Sequence, residues 1–148
     1  MYLGLDLGTS GLKALLISND QKLIGSAEAS YGVKNFTTGW SEQNPEDWIK
    51  ACESVMNSLS NRFPLQVSAL RGIGISGQMH GATLLDKEGK IIRPCILWND
   101  TRSFAQAQKM DENGVFREIS GNIVFPGFTA PKLSWIKENE QGNFNKIA

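Results

Sequence analysis

Residues 6–13 read Asp-Leu-Gly-Thr-Ser-Gly-Leu-Lys and set a carboxylate, a glycine and hydroxyl turn, and a cation between two apolar runs. Tyr2, Leu3, Leu5 and Leu7 form the first run; Ala14, Leu15, Leu16 and Ile17 form the second. Both are short and bounded by turn residues, so the spacing predicts a hairpin of buried strands. Asp6 is then expected in apolar surroundings, where an ionised carboxylate is costly unless it meets a cation or hydrogen-bond donors. A magnesium ion would answer that cost. Gly8 and Gly11 would permit a tight turn and close backbone approach to a ligand, turning the amides and hydroxyls of Thr9 and Ser10 towards phosphate oxygens while Lys13 adds a point charge. The same eight residues also suit a hairpin whose Asp6 only bonds the turn amides.

A polar turn over residues 18–22 leads to a third strand over residues 23–30, which makes an antiparallel meander. Residues 31–43 read as a loop, in which Trp40 either stacks on a sugar or plugs the loop against the core. Asn44-Pro45-Glu46-Asp47 has the composition of a helix start, and the helix is expected to run to about Asn61. Trp48, Cys52, Val55, Met56 and Leu59 fall on one face of it, as core residues do. Residues 62–64 end that helix, and residues 67–76 lead into a fourth strand.

Gly72-Ile73-Gly74-Ile75-Ser76-Gly77 matches the dinucleotide fingerprint letter for letter. Its glycines lie inside the strand, however, and residues 78–81 have no helix-opening character, so the context of a dinucleotide site is missing. Close packing or a nearby ligand explains such a strand better. His80, the sole histidine, follows the strand end, where open sheets bind ligands, although a lone histidine is commonly structural. Residues 82–94 read as a hairpin around the turn at 86–90. Residues 95–98 read as a short strand delivering Asp100, which either caps the following helix or touches ligand. Two short helices interrupted at Asn113-Gly114 are expected over residues 103–119, then an apolar loop over 122–128. Thr129 is expected to cap a helix to about Glu140, with Leu133, Trp135 and Ile136 facing inward.

A chain of 148 residues with 41% hydrophobic content suits one ordinary domain. Zero formal net charge and scattered lysines and arginines argue against a nucleic-acid partner or an anionic membrane. No run approaches the ~18 apolar residues of a span, and the first residues lack a secretory pattern, so a cytoplasmic location is expected. Cys52 and Cys95 are too isolated for a zinc site or disulfide framework and are expected to be buried thiols.

Taken in order, Gly4-Leu5-Asp6-Leu7-Gly8-Thr9-Ser10-Gly11-Leu12-Lys13, Trp40-Ser41-Glu42-Gln43, Gly77-Gln78-Met79-His80-Gly81, Trp98-Asn99-Asp100 and the segment 126–135 resemble the amino-terminal part of the FGGY carbohydrate kinases, most closely the members acting on D-xylulose. The resemblance implies an α/β, ribonuclease-H-like fold: a mixed sheet of three antiparallel strands followed by a parallel one, incomplete at the carboxy terminus. It implies ATP with Mg2+ as phosphoryl donor, D-xylulose as acceptor, and a homodimer as one possible assembly of the full-length enzyme. By the same resemblance Asp6 would be the catalytic, magnesium-holding carboxylate, Gly8, Thr9, Ser10 and Lys13 would bind the nucleotide phosphates, and Met79, His80, Trp98 and Asp100 would line the sugar site. The general base of such kinases lies on a second domain, which residues 1–148 do not include, so half an active site is expected here.

Overall fold

The computed structural model describes residues 1–148, which form two compact units, Met1–Val33 with Glu46–Gln78, and Lys34–Pro45 with Met79–Ala148. In the first unit, β1 (Tyr2–Leu7), β2 (Gly11–Ile17) and β3 (Leu23–Ser30) form the expected meander. A fourth strand, Gly72–Gly77, pairs parallel to β1, giving the spatial order β3, β2, β1 and then this strand at the edge. The mixed pattern follows from chain length: short turns allow only antiparallel pairing, whereas the long connection carrying a helix returns the last strand in parallel.

Alternation decides which sheet face is buried. Leu3, Leu5, Leu12, Ala14 and Leu16 pack against Ala51, Val55 and Leu59 of α1 (Pro45–Arg62). The predicted apolar face of α1 therefore holds, with Ala51 at its centre and Cys52 only half-buried. Where the sequence suggested a simple break, Pro64 instead starts a one-turn helix, α2 (Pro64–Ser68), as a residue preset for the first helical position can. The edge strand is exposed, with Ile73 and Ile75 at 56% and 78%. No helix opens after it, which agrees with setting the dinucleotide fingerprint aside.

The second unit contains a feature that sequence reasoning missed. Glu42 and Gln43 form a two-residue strand, β4 (Glu42–Gln43), paired antiparallel with β6 (Cys95–Ile96), the edge strand of the first unit being β5 (Gly72–Gly77). Both β4 side chains are polar yet buried, so the period of apolar residues that announces a strand is absent. The strand expected over residues 95–98 shrinks to its first two residues. The hairpin over 82–94 closes through a single bridge between Leu85 and Ile91, with Gly89 at φ 77° in the turn.

Four helices follow: α3 (Phe104–Glu112), α4 (Val115–Ser120), α5 (Thr129–Asn139) and α6 (Gln141–Phe144), the last unexpected. Gly114 at φ 78° makes the predicted break between α3 and α4. Two expected caps differ. Ser103, not Asp100, precedes α3, and Phe128 precedes α5, so Thr129 is its first helical residue and turns its hydroxyl to the His80 carbonyl instead. Ala82, Leu84, Ile96 and Ile136 form this unit's core, with Ile92, Leu133 and Trp135 packed around it.

Candidate functional site

The first candidate region is the hairpin turn of the first unit. Sheet register sets Asp6 opposite Lys13 on β2 and beside Ser76 on β5, so all three share the face that α1 leaves open. The Ser76 hydroxyl donates to the Asp6 carboxylate at 2.7 Å. Asp6 is exposed, and the burial cost expected from its apolar neighbours in sequence does not arise: Leu5 and Leu7 point to the opposite face. Asp6 is instead accessible near the end of β1. Gly4 and Gly74 are adjacent in register, and with Asp6, Lys13, Leu15 and Ser76 they line an open recess of about 480 Å³.

The turn beyond Asp6 is held from beneath. The Gly8 amide donates to the Gly11 carbonyl at 3.0 Å, and the Tyr31 hydroxyl donates to the Gly8 carbonyl at 2.7 Å. The Tyr31 amide also donates to the Ser10 carbonyl. Burial, and then the negative charge of Asp6, push the Tyr31 phenol above its usual range, which keeps it a donor. Neither Gly8 nor Gly11 adopts a left-handed backbone. Gly11 is required for a different reason: a β-carbon there would lie 2.7 Å from the Ala29 carbonyl oxygen on β3. The Thr9 hydroxyl lies 3.4 Å from the Gln78 side-chain oxygen, while Ser10 is exposed at the tip of the turn.

The second candidate region lies wholly in the other unit. Met79, His80, Trp98, Asn99, Asp100 and residues 125–128 line a recess of about 350 Å³, roughly the lower end of small-ligand pockets. Met79 and Trp98 present exposed side chains to it. The His80 ring stacks at a tilt on Phe128, with ring centres 4.6 Å apart. His80 has φ 60°, a left-handed backbone that costs a non-glycine residue about 1–3 kcal/mol and persists only where neighbours enforce it. Gly127 is packed so tightly that a β-carbon would fall 2.2 Å from the Trp98 carbonyl oxygen.

Asp100, although among the residues at this recess, is buried. One carboxylate oxygen accepts from the Arg102 amide and Nε, both at 2.9 Å; the other accepts from the Ser41 amide at 2.6 Å and Arg102 Nη2 at 2.7 Å. Those four bonds fill the acceptor positions of a carboxylate. Arg102 also pairs with buried Glu42 at 2.7 Å, and its guanidinium lies over the Trp40 ring at 3.7 Å. Trp40 meets Trp135 edge-on at 5.4 Å. Its ring is therefore committed to packing, as the plug alternative expected. Arg93 completes the cluster, bridging Glu42 at 2.5 Å and Glu140 at 2.9 Å. Finally, the buried Lys132 donates to the carbonyls of His80 and Gly127, each at 2.7 Å.

Sequence reasoning missed Ser76, Tyr31, Arg102 and Lys132. Only Lys132 carried a usable signal: it sits one turn before Ile136 on the inward face of α5, where a lysine is out of pattern.

The chain matches, over residues 1–148, the model of the FGGY family of carbohydrate kinases, N-terminal domain. The chain belongs to the FGGY family. Among its relatives in this family, a protein from Klebsiella pneumoniae named xylulose kinase is 43% identical over 99% of the chain and 30% of its own length. Its namesake from Escherichia coli strain K12 is 40% identical with the same coverage. A crystal structure described as a xyloylose kinase from Brucella ovis superposes with a TM-score of 0.97 at 57% identity, covering 99% of this chain and 31% of that one. The chain thus spans about 30% of the length of the curated FGGY relatives it matches. The mixed sheet and meander are those of the actin-like sugar kinase fold.

Proposed function

We propose that this chain is the amino-terminal part of a cytoplasmic kinase that transfers the γ-phosphoryl group of ATP to D-xylulose, giving D-xylulose 5-phosphate. The carrying observation is the Brucella ovis likeness, 57% identical across 99% of the chain, supported by relatives named xylulose kinase. The whole protein, in this reading, has a second domain that supplies the general base.

The first unit serves the donor. Asp6 and Lys13 face the same open recess, and the exposed Ser10 and the Thr9 hydroxyl stand at the turn where phosphate oxygens approach. Magnesium takes one or two carboxylates and keeps several waters, and a single exposed Asp6 oriented by Ser76 fits that demand. When bound, the ion neutralises charge on the transferring phosphoryl group. Lys13 adds a positive charge on the same face. The second unit serves the acceptor: Met79, His80 and Trp98 present polarisable and aromatic surface suited to a sugar's C–H faces, while the His80 ring supplies polar atoms. Asp100 acts through Arg102 and Ser41 to hold that wall, with no acceptor position left for a sugar hydroxyl.

Purified whole protein should release ADP from ATP with D-xylulose at about 1–100 per second, typical of kinases, and much more slowly with gluconate, ribulose or glycerol. Equal or faster turnover on one of those would reassign the substrate. The 148-residue chain alone should show negligible activity, because general base catalysis contributes roughly 10²–10⁴-fold and the charge stabilisation of the closed site is lost with it.

A further inference from the structure

Lys132 occupies a position where packing alone would select an apolar side chain. It is completely buried, on the inward face of α5 one turn before Ile136 of the core. No carboxylate lies within ion-pair distance of its ammonium. Its partners are two backbone carbonyls, of His80 and Gly127, both at 2.7 Å. Those residues belong to two of the segments that line the recess, 79–80 and 125–128, which also meet where the His80 ring stacks on Phe128. One of them, His80, has a strained left-handed backbone, and the other is pressed against the Trp98 carbonyl.

We propose that Lys132 is the positioning residue of the sugar pocket: its ammonium ties the His80 and Gly127 carbonyls together, fixes the two lining segments relative to each other, and so sets affinity for the sugar without touching it. This rests on the recess being the sugar site. Three features make a structural filler an insufficient explanation. A methionine would occupy the same volume without desolvating a charge. Both donated bonds go to the pocket's walls. Thr129, the first residue of the same helix, adds its hydroxyl to the same His80 carbonyl at 3.4 Å, so α5 grips that carbonyl twice. Desolvation holds the Lys132 amine down at about 8, an opposing influence to the charges of Cys95 and Asp100, with Arg102 pushing the same way as burial. The charge is thus retained against a cost, as a group kept for its bonds would be.

The test uses the whole kinase carrying Lys132→Met. The Michaelis constant for D-xylulose should rise about 10–100-fold, as expected for lost charge-assisted bonds, while kcat and the constant for ATP stay within about twofold. Lys132→Ala should show the same split, and added propylammonium, but not propanol, should restore the sugar constant. An unchanged sugar constant in a folded variant overturns the proposal, as does a uniform loss of kcat with both constants intact. Should Lys132→Met fail to fold, Lys132→Leu, which also removes the donor, is read by the same criteria. A wild-type protein that ignores D-xylulose would instead remove the sugar-site assignment itself.

Discussion

Replacing Asp100 by asparagine separates a buried structural carboxylate from a ligand-facing one. The native side chain accepts four bonds, from the Ser41 amide, the Arg102 amide, and Arg102 Nε and Nη2, at 2.6 to 2.9 Å. An asparagine retains one oxygen and points an NH2 at donors on its other side, so two of the four bonds are replaced by donor–donor contacts. The Arg102 side chain is 1% exposed and would keep only Glu42 as a charge partner. Breaking a buried ion pair by removing one partner costs about 3–5 kcal/mol. Because Glu42 and the Trp40 ring still hold the guanidinium, the lower end applies, about 3 kcal/mol. Urea unfolding followed by tryptophan fluorescence reports on this directly, since Trp40, Trp98 and Trp135 lie in the second unit and only Trp48 in the first. The half-buried Asp86, one of whose carboxylate oxygens accepts from both the Glu88 and Lys90 amides, is the control, because asparagine preserves that acceptor. A loss below about 0.5 kcal/mol for Asp100→Asn, the level of ordinary surface substitutions, would refute the buried-cluster argument.

Other consequences follow from single contacts. Gly11→Ala should cost about 1–3 kcal/mol and speed amide exchange across β2, because its β-carbon meets the Ala29 carbonyl oxygen at 2.7 Å; Gly4→Ala, with nothing within 4 Å, should be neutral or slightly stabilising. The Asp111 carboxyl, held down to about 2 by Arg117 hydrogen bonding, should titrate there by NMR and return towards 3.8 in Arg117→Gln. Its folded pKa is depressed, so its contribution to stability is present above 3.8 and fades as pH falls towards 2. Thiol labelling should modify half-buried Cys52 well before Cys95, whose thiol is buried and pushed up by desolvation.

How much of this was legible depended on whether a residue's role is periodic or relational. The meander, α1 and the inward face of α5 were readable because apolar spacing reports a buried face directly, whereas the parallel pairing of the exposed fourth strand came from the family resemblance. β4 was not, because Glu42 and Gln43 are polar residues buried by partners more than 50 positions away, such as Arg93 and Cys95. Asp6 was singled out on a mistaken premise: alternation along β1 sends it to the open face, where its neighbour is Ser76, a partner known only from the register. Asp100 illustrates the opposite case. Its type and place near Trp98 suggested ligand contact, but only coordinates reveal that its acceptors are spent on Arg102 and Ser41.

Steady-state ADP release by the whole protein with ATP, magnesium and D-xylulose, compared between wild type and Asp6→Asn, bears most directly on the proposal that Asp6 is the carboxylate serving phosphoryl transfer. Asp6 is exposed and its bond to Ser76 survives as an amide acceptor, so folding should be intact while kcat falls about 10²–10³-fold, as for loss of a single electrostatic contact to the transition state. A variant that folds normally and turns over D-xylulose at the wild-type rate would contradict it.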